Sequence, residues 1–173
     1  MQKGVETGPE ENLVLGHTNC DYNQKERMNM VEQDTVRLLR ECDAGVKMGI
    51  SSIDDVLGYV RDNGMKQNLK DCKDQHLRLE QEIRSALNRF HDAGKEPEPI
   101  AKGMSWMKTN MRLAVNESDA TVADLMTDGC NMGVKSLNKY LNQYKAADED
   151  SKRLAKKLIR MEEELAVQLR GNL

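Results

Sequence analysis

The sequence predicts an all-α protein, a four-helix bundle. The chain has 173 residues, of which 38% are apolar and 32% charged, and only three are prolines. One tryptophan, four tyrosines and one phenylalanine are too few aromatic residues for the strands of a small sandwich or barrel. The third observation is periodicity, because apolar residues recur at alternating steps of three and four along proline-free stretches.

Residues 1–27 lack that periodicity. They contain several glycines and asparagines and one proline, which predicts a flexible or draped N-terminal tail before a bundle that spans residues 28–173. There is neither an apolar run of membrane-spanning length nor the apolar core of a secretion signal. We therefore expect a cytoplasmic protein with reduced thiols at its four cysteines, which are Cys20, Cys42, Cys72 and Cys130.

Two apolar stripes predict the first helix pair. Helix 1, about 28–63, has its stripe at Leu39, Cys42, Val46, Gly49, Ile53, Val56 and Val60. Helix 2, about 65–93, has its stripe at Leu69, Cys72, His76, Leu79, Ile83, Ala86 and Phe90. Because only a short Asp-Asn-Gly turn separates them, these two helices are predicted to run antiparallel.

A second pair follows a proline-containing break at Pro97 and Pro99. A crossover helix at about 100–115 carries Met104, Met107 and Met111, which we interpret as its bundle-facing side. Helix 3, about 119–146, is capped by Ser118 or Asp119, and helix 4 covers about 149–171. The long connection predicts that helices 2 and 3 are parallel neighbours.

The two halves of the chain share short sequence echoes. The first echo relates Cys42-Asp-Ala-Gly45-Val46-Lys47 to Cys130-Asn-Met-Gly133-Val134-Lys135. The second relates Arg78-Leu-Glu80-Gln-Glu82-Ile83 to Arg160-Met-Glu162-Glu-Glu164-Leu165. Both occur in the same order and in the same phase of the apolar stripe, which predicts a duplicated helix pair.

The crossover and helix 3 also carry a series of residues in a fixed order: Trp106-Met107-Lys108, Asp119, Cys130-x-x-Gly133 and Tyr140. In this order, residues 30–173 resemble an uncharacterised bacterial branch of the ferritin-like superfamily. The resemblance implies two duplicated antiparallel helix pairs joined by a long, partly helical crossover. In metal-bearing relatives it further implies an inward Glu from two helices and Glu-x-x-His from the other two.

The ligands of such a di-iron site are missing here. The acids of helices 1 and 3 would fall on Val46-Lys47 and Val134-Lys135. Helices 2 and 4 keep Glu80 and Glu162, but aliphatic residues stand at the two positions where histidine is expected. We therefore expect that the di-iron site has been lost and that the protein has no cofactor.

His76 is the one ionisable residue placed on the apolar stripe of helix 2. As a structural residue it needs a hydrogen-bond partner, either Glu80 or a residue across the bundle. As an alternative, His76 with Cys72, Glu80 and Glu162 forms a candidate site for one transition-metal ion, or a small-ligand site.

The sequence lacks a nucleophile motif and a phosphate-binding loop, which favours a non-enzymatic protein. Lysine and arginine number 26 against 29 acids, without a basic stripe, so we expect neither nucleic acid nor a membrane as partner. We predict a structural or partner-binding protein. We also predict a homodimer through apolar residues of helix 1 beyond its main stripe, which are Leu38, Met48, Ile50, Leu57 and Tyr59.

Overall fold

A computed structural model describes residues 14–97 and 118–173, with side chains from residue 23 onward. Over this part of the chain the protein contains four long helices and no β-strand, so the all-α prediction is confirmed. No helix in these residues is both long and apolar enough to cross a membrane. The helices are α1 (Val14–Val56), α2 (Asn63–Asn88), α3 (Asp119–Gln143) and α4 (Glu149–Leu169), followed by a 3-10 turn at Arg170–Asn172.

The predicted bounds are close for α3 and α4, whereas α2 ends at Asn88 rather than near residue 93 and α1 differs at both ends. This helix begins at Val14, inside the predicted tail, and ends at Val56 rather than near residue 63. The tail prediction is wrong for residues 14–27, because apolar periodicity reports burial and the polar residues 23–27 are helical but exposed. The apolar stripe continues to the buried Val60, which follows the helix and packs on α2 and α3 residues. The predicted crossover helix at 100–115 lies outside the described residues.

Side-chain caps fix where α2, α3 and α4 begin. Asp62, Ser118 and Asp148 each accept a hydrogen bond from the backbone N–H three residues further on. Of the two caps predicted for α3, Ser118 takes this role. The Asp119 side chain instead accepts hydrogen bonds from another part of the chain.

Asp119 ties the start of α3 to the turn between α1 and α2. Its carboxylate accepts hydrogen bonds from the backbone N–H of Arg61 at 2.7 Å and of Asp62 at 3.0 Å. The first turn of α3 therefore lies at the end of the bundle where α1 ends and α2 begins.

The turn between α3 and α4 lies at the opposite end, against the middle of α1. The N–H of Ala146 donates to Asp34 at 3.1 Å, and the N–H of Asp148 donates to the hydroxyl of Thr35 at 2.8 Å. Thus α2 and α3 run in the same direction, as the long connection predicts, and α4 runs parallel to α1.

The arrangement of neighbours differs from the prediction. Both α1 and α4 pack on α2 and on α3, whereas α2 and α3 occupy opposite corners, so the prediction that they are neighbours is wrong. The helices on the other diagonal, α1 and α4, do contact each other. A Cβ atom on Gly45 would lie 3.5 Å from Cδ2 of Leu158, an ordinary contact distance that shows how closely α4 approaches α1.

Two apolar clusters fill the interior. The upper cluster, near the α3–α4 turn, contains Leu39, Cys42, Val46, Leu79, Ile83 and Leu158 among others. The lower cluster, near the α1–α2 turn, contains Ile53, Val56, Leu69, Cys72, Cys130 and Leu165 among others. Val134, like Val46, packs on the upper cluster.

Candidate functional site

A polar layer separates the two apolar clusters. Each helix contributes one residue to it: Gly49 from α1, His76 from α2, Gly133 from α3 and Glu162 from α4. The residues one turn away along each helix belong to the upper cluster on one side and to the lower cluster on the other. The sequence predicted the histidine on the apolar stripe, and the structure places it in this polar layer between the two clusters.

His76 is buried and fully hydrogen-bonded. Its side chain is 1% exposed, its Nδ1 lies 2.9 Å from the backbone oxygen of Cys72, and its Nε2 lies 3.2 Å from Oε1 of Glu162. The partner is thus across the bundle, one of the two options that the sequence left open. An imidazolium satisfies both contacts at once, because both of its ring nitrogens donate.

The environment favours that charged form. Burial lowers the pKa of His76, but hydrogen bonds with Cys72 and Glu162 and the negative charge of Glu162 outweigh burial and raise the pKa to about 10. At neutral pH the layer therefore holds an ion pair of an imidazolium and a carboxylate.

Glycines make room for this pair. A Cβ atom on Gly49 would lie 2.7 Å from Nε2 of His76 and 3.6 Å from Oε1 of Glu162. A Cβ atom on Gly133 would lie 3.6 Å from Cδ of Glu162. Gly49 therefore provides space that the imidazole occupies, whereas Gly133 leaves Glu162 open toward α3.

Two buried thiols lie beside the pair. The Sγ of Cys72 is 3.5 Å from Nδ1 of His76. Burial raises the pKa of the Cys130 thiol far above its usual range, and the charge of Glu162 raises it further. Cys130 is therefore a protonated packing residue rather than a nucleophile.

The predicted metal-site residues are brought together only in part. Cys72 and Glu162 each contact His76, but at different ring nitrogens, and Glu80 points to Arg84, with 2.9 Å between its Oε1 and Nη2 of the arginine. The described ranges contain no group of three or more His, Cys, Asp or Glu side chains arranged to hold a metal ion. A metal on either ring nitrogen of His76 must also displace the proton which that nitrogen shares with Cys72 or with Glu162.

A cavity of about 470 Å³ opens between α1 and α3 and reaches Glu162. Small residues from the two facing helices leave this space: Ala44, Gly45, Gly49, Ser52, Gly129, Gly133 and Ser136. Its apolar wall is formed mainly by Met48, Leu125, Met126, Met132, Leu137 and Leu158. The volume is within the range of small-molecule sites in proteins.

The rim of the cavity carries a second ion pair. Nζ of Lys95 lies 2.9 Å from both carboxylate oxygens of Glu41. Burial raises the pKa of the neighbouring Tyr140, and Glu41 raises it further, so its hydroxyl stays protonated. The rim is thus polar and the interior mostly apolar, with one carboxylate at the bottom.

Sequence reasoning missed the cavity. Its signal was the spacing of small residues on two helices, with Gly45 and Gly49 on α1 and Gly129 and Gly133 on α3. Such residues four apart lie on one helix face, but only the packing of α1 beside α3 places the two faces opposite each other.

Comparison with known proteins found no counterpart, since no family model, curated protein or solved structure matches this chain.

Proposed function

We propose that this protein is a non-enzymatic ferritin-like bundle that has lost its di-iron site and binds a small organic molecule in the cavity between α1 and α3. The observation that carries the proposal is that Glu162, in the central polar layer, also lines the cavity. A carboxylate at the bottom of a mainly apolar pocket gives a ligand both apolar contact and a fixed orientation.

The sequence echoes support the ferritin-like part of the proposal. They pair His76 with Leu158 and Glu80 with Glu162. They also pair Gly45, whose Cβ direction meets Leu158, with Gly133, whose Cβ direction meets Glu162. The first echo thus relates Gly45 to Gly133, and the second relates Leu158 to His76. Gly45 and Leu158 lie at one level of the bundle, and Gly133 and His76 lie together at another, as expected for a duplicated helix pair.

A transition-metal ion at His76, with Cys72 and Glu162, is the alternative. The observation in its favour is the 3.5 Å distance between Cys72 Sγ and His76 Nδ1. Metal analysis of protein purified without a His tag separates the two proposals, because one ion per chain supports the metal site and a metal-free protein that binds an organic probe supports the cavity.

A homodimer is part of the same proposal, but we place its interface on other residues than the sequence predicted. Leu38 is fully buried, and Ile50 and Leu57 pack on the protein's own core, so the predicted dimer surface is largely used up. Met28 and Val31, at 63% and 40% exposure, now stand out on α1.

Met28 and Val31 continue the face of α1 that is buried further along at Thr35 and Leu38. Two copies of this stretch, paired antiparallel about residues 29 and 30, place Met28 of each against Val31 of the other. The same register sets Arg27 opposite Glu32, so the charges are complementary. We propose a second copy of the chain as the partner of this face.

A neutral apolar dye tests cavity binding. We expect the full chain to bind N-phenyl-1-naphthylamine with a rise in fluorescence and a stoichiometry near one. Gly129→Phe places a ring on a residue that lines the cavity, and its Cβ atom meets no atom within 4 Å. This variant should weaken dye binding at least about tenfold.

Gly171→Phe is the matched control. A Cβ atom at Gly171 also meets nothing within 4 Å, and this residue lies away from the cavity lining. We expect this variant to bind the dye like the parent protein. Absence of binding by the parent, or equal binding by the Gly129→Phe protein, would overturn the proposed function.

A further inference from the structure

Charge in the cavity lining is unevenly distributed. The charged residues that line it, among described residues, are Glu41, Glu162 and Lys95. Lys95 binds both carboxylate oxygens of Glu41, so the positive charge is used at the rim. The carboxylate of Glu162 lines the cavity without a basic partner among the described lining residues.

His76 is a basic partner of Glu162, but it does not contact the carboxylate from the cavity side. It approaches Glu162 from α2 and is not part of the lining, whereas the side chain of Glu162 is 13% exposed. The pair uses Oε1 of the carboxylate, and the Cys130 thiol also hydrogen-bonds to Glu162. A carboxylate accepts about four hydrogen bonds through its two oxygens, so Glu162 retains capacity for a donor that enters between α1 and α3.

The remaining wall selects for an apolar body. Three methionines, Met48, Met126 and Met132, line it together with leucines. Methionine side chains adapt to the shape of a flexible apolar ligand. The lining therefore offers one anionic acceptor at the bottom and adaptable apolar surface around it.

Resting on the proposed function, we propose that the ligand is an amphiphilic primary amine, whose ammonium group donates to Glu162 and whose apolar chain lies against the methionines. A hydrogen bond between charged groups in a partly buried site is stronger than one between neutral groups. A neutral alcohol of the same length therefore binds less tightly. A carboxylate of that length meets the like charge of Glu162 and binds least.

Calorimetry of the full chain with octylamine, 1-octanol and octanoate tests this ligand class. We expect octylamine to bind at least about tenfold more tightly than 1-octanol, which corresponds to about 1.4 kcal/mol. Octanoate should bind more weakly than the alcohol. Equal affinities for octylamine and 1-octanol would overturn the ligand class.

A variant assigns the preference to Glu162. In Glu162→Gln the affinity for octylamine should fall to that for 1-octanol, while 1-octanol binding is unchanged and thereby shows an intact cavity. Glu163→Gln is the matched control, because Glu163 is exposed on the same helix and should leave the preference as it is. An amine preference that survives in Glu162→Gln would overturn the role of Glu162.

The two proposals fail separately. If the neutral dye binds and Gly129→Phe blocks it, the cavity site stands even when octylamine shows no preference. If the dye and all three octyl compounds fail to bind the parent protein, the cavity site itself is wrong.

Discussion

Gly49 and His76 share one position in the bundle, since a Cβ atom on Gly49 would lie only 2.7 Å from Nε2 of the imidazole. The glycine of α1 is therefore the space into which the histidine of α2 fits. This relationship explains how a bulky ionisable side chain is buried opposite Glu162 without separating the helices.

Gly49→Ala should destabilise the protein. Its methyl group must displace the imidazole from Glu162, and overpacking of this kind costs about 1–3 kcal/mol. Gly45→Ala is the matched control one turn away, where the Cβ atom meets Leu158 at an ordinary 3.5 Å. Replacing a helical glycine there should stabilise the fold by up to about 1 kcal/mol. Urea unfolding that shows the same sign for both variants would contradict this assignment.

The contribution of His76 to stability should depend on pH. Its pKa in the folded protein is raised from 6.5 to about 10. The stabilisation is therefore fully present below pH 6.5 and is lost as the pH rises through about 10. We expect His76→Gln to cost about 2 kcal/mol at pH 6 and less at pH 10.

Free energies of unfolding of the parent and His76→Gln proteins, measured across this range, check the prediction. His91→Asn is the control, because His91 is exposed at the end of α2 and adopts a positive φ that asparagine tolerates. A cost of His76→Gln that grows with pH would show that the imidazole is not stabilised as a cation.

Asp119→Ala should loosen the junction between α3 and the α1–α2 turn. It removes the acceptor for two backbone N–H groups, those of Arg61 and Asp62, and we expect a loss of about 1–3 kcal/mol. Asp128→Ala removes an exposed acid from the same helix and serves as control. The role of Asp119 is refuted if chemical denaturation gives the two variants equal stability.

The exposed part of α1 should determine the oligomeric state. Light scattering is expected to give a dimer for the parent protein and a monomer for the Met28→Glu, Val31→Glu double variant, because four carboxylates would then face each other in the proposed interface. Val167→Glu, at a residue that is 53% exposed on α4, should remain a dimer. A parent protein that is monomeric at micromolar concentration contradicts the homodimer.

The helices could be predicted because each buries one stripe. The stripe of α2 places Leu69, Cys72, His76 and Leu79 in the interior, as steps of three and four require. The partner of His76 could not be predicted, because Glu162 is 86 residues away in the sequence and depends on which corner α4 occupies. The candidate Glu80 was closer in sequence, but it pairs with Arg84.

The start of α1 was not predicted because this part of the helix buries no apolar stripe. Residues 23–27 are all polar and exposed, so this part of the helix leaves no apolar period to detect. The cavity was missed because it depends on glycines of two helices that become opposed only after packing.

Magnetic resonance of the imidazole nitrogens, during titration with octylamine, tests the central claim most directly. The ammonium group is expected to share the Glu162 carboxylate with His76 and so to change the charge on that carboxylate, which should shift the Nε2 signal of His76 with saturation at one ligand per chain. The shift should be absent in the Glu162→Gln protein, and the signal of the exposed His91 should not move in either protein. Octylamine that binds the parent protein while the His76 signal stays unchanged would contradict a ligand site at Glu162.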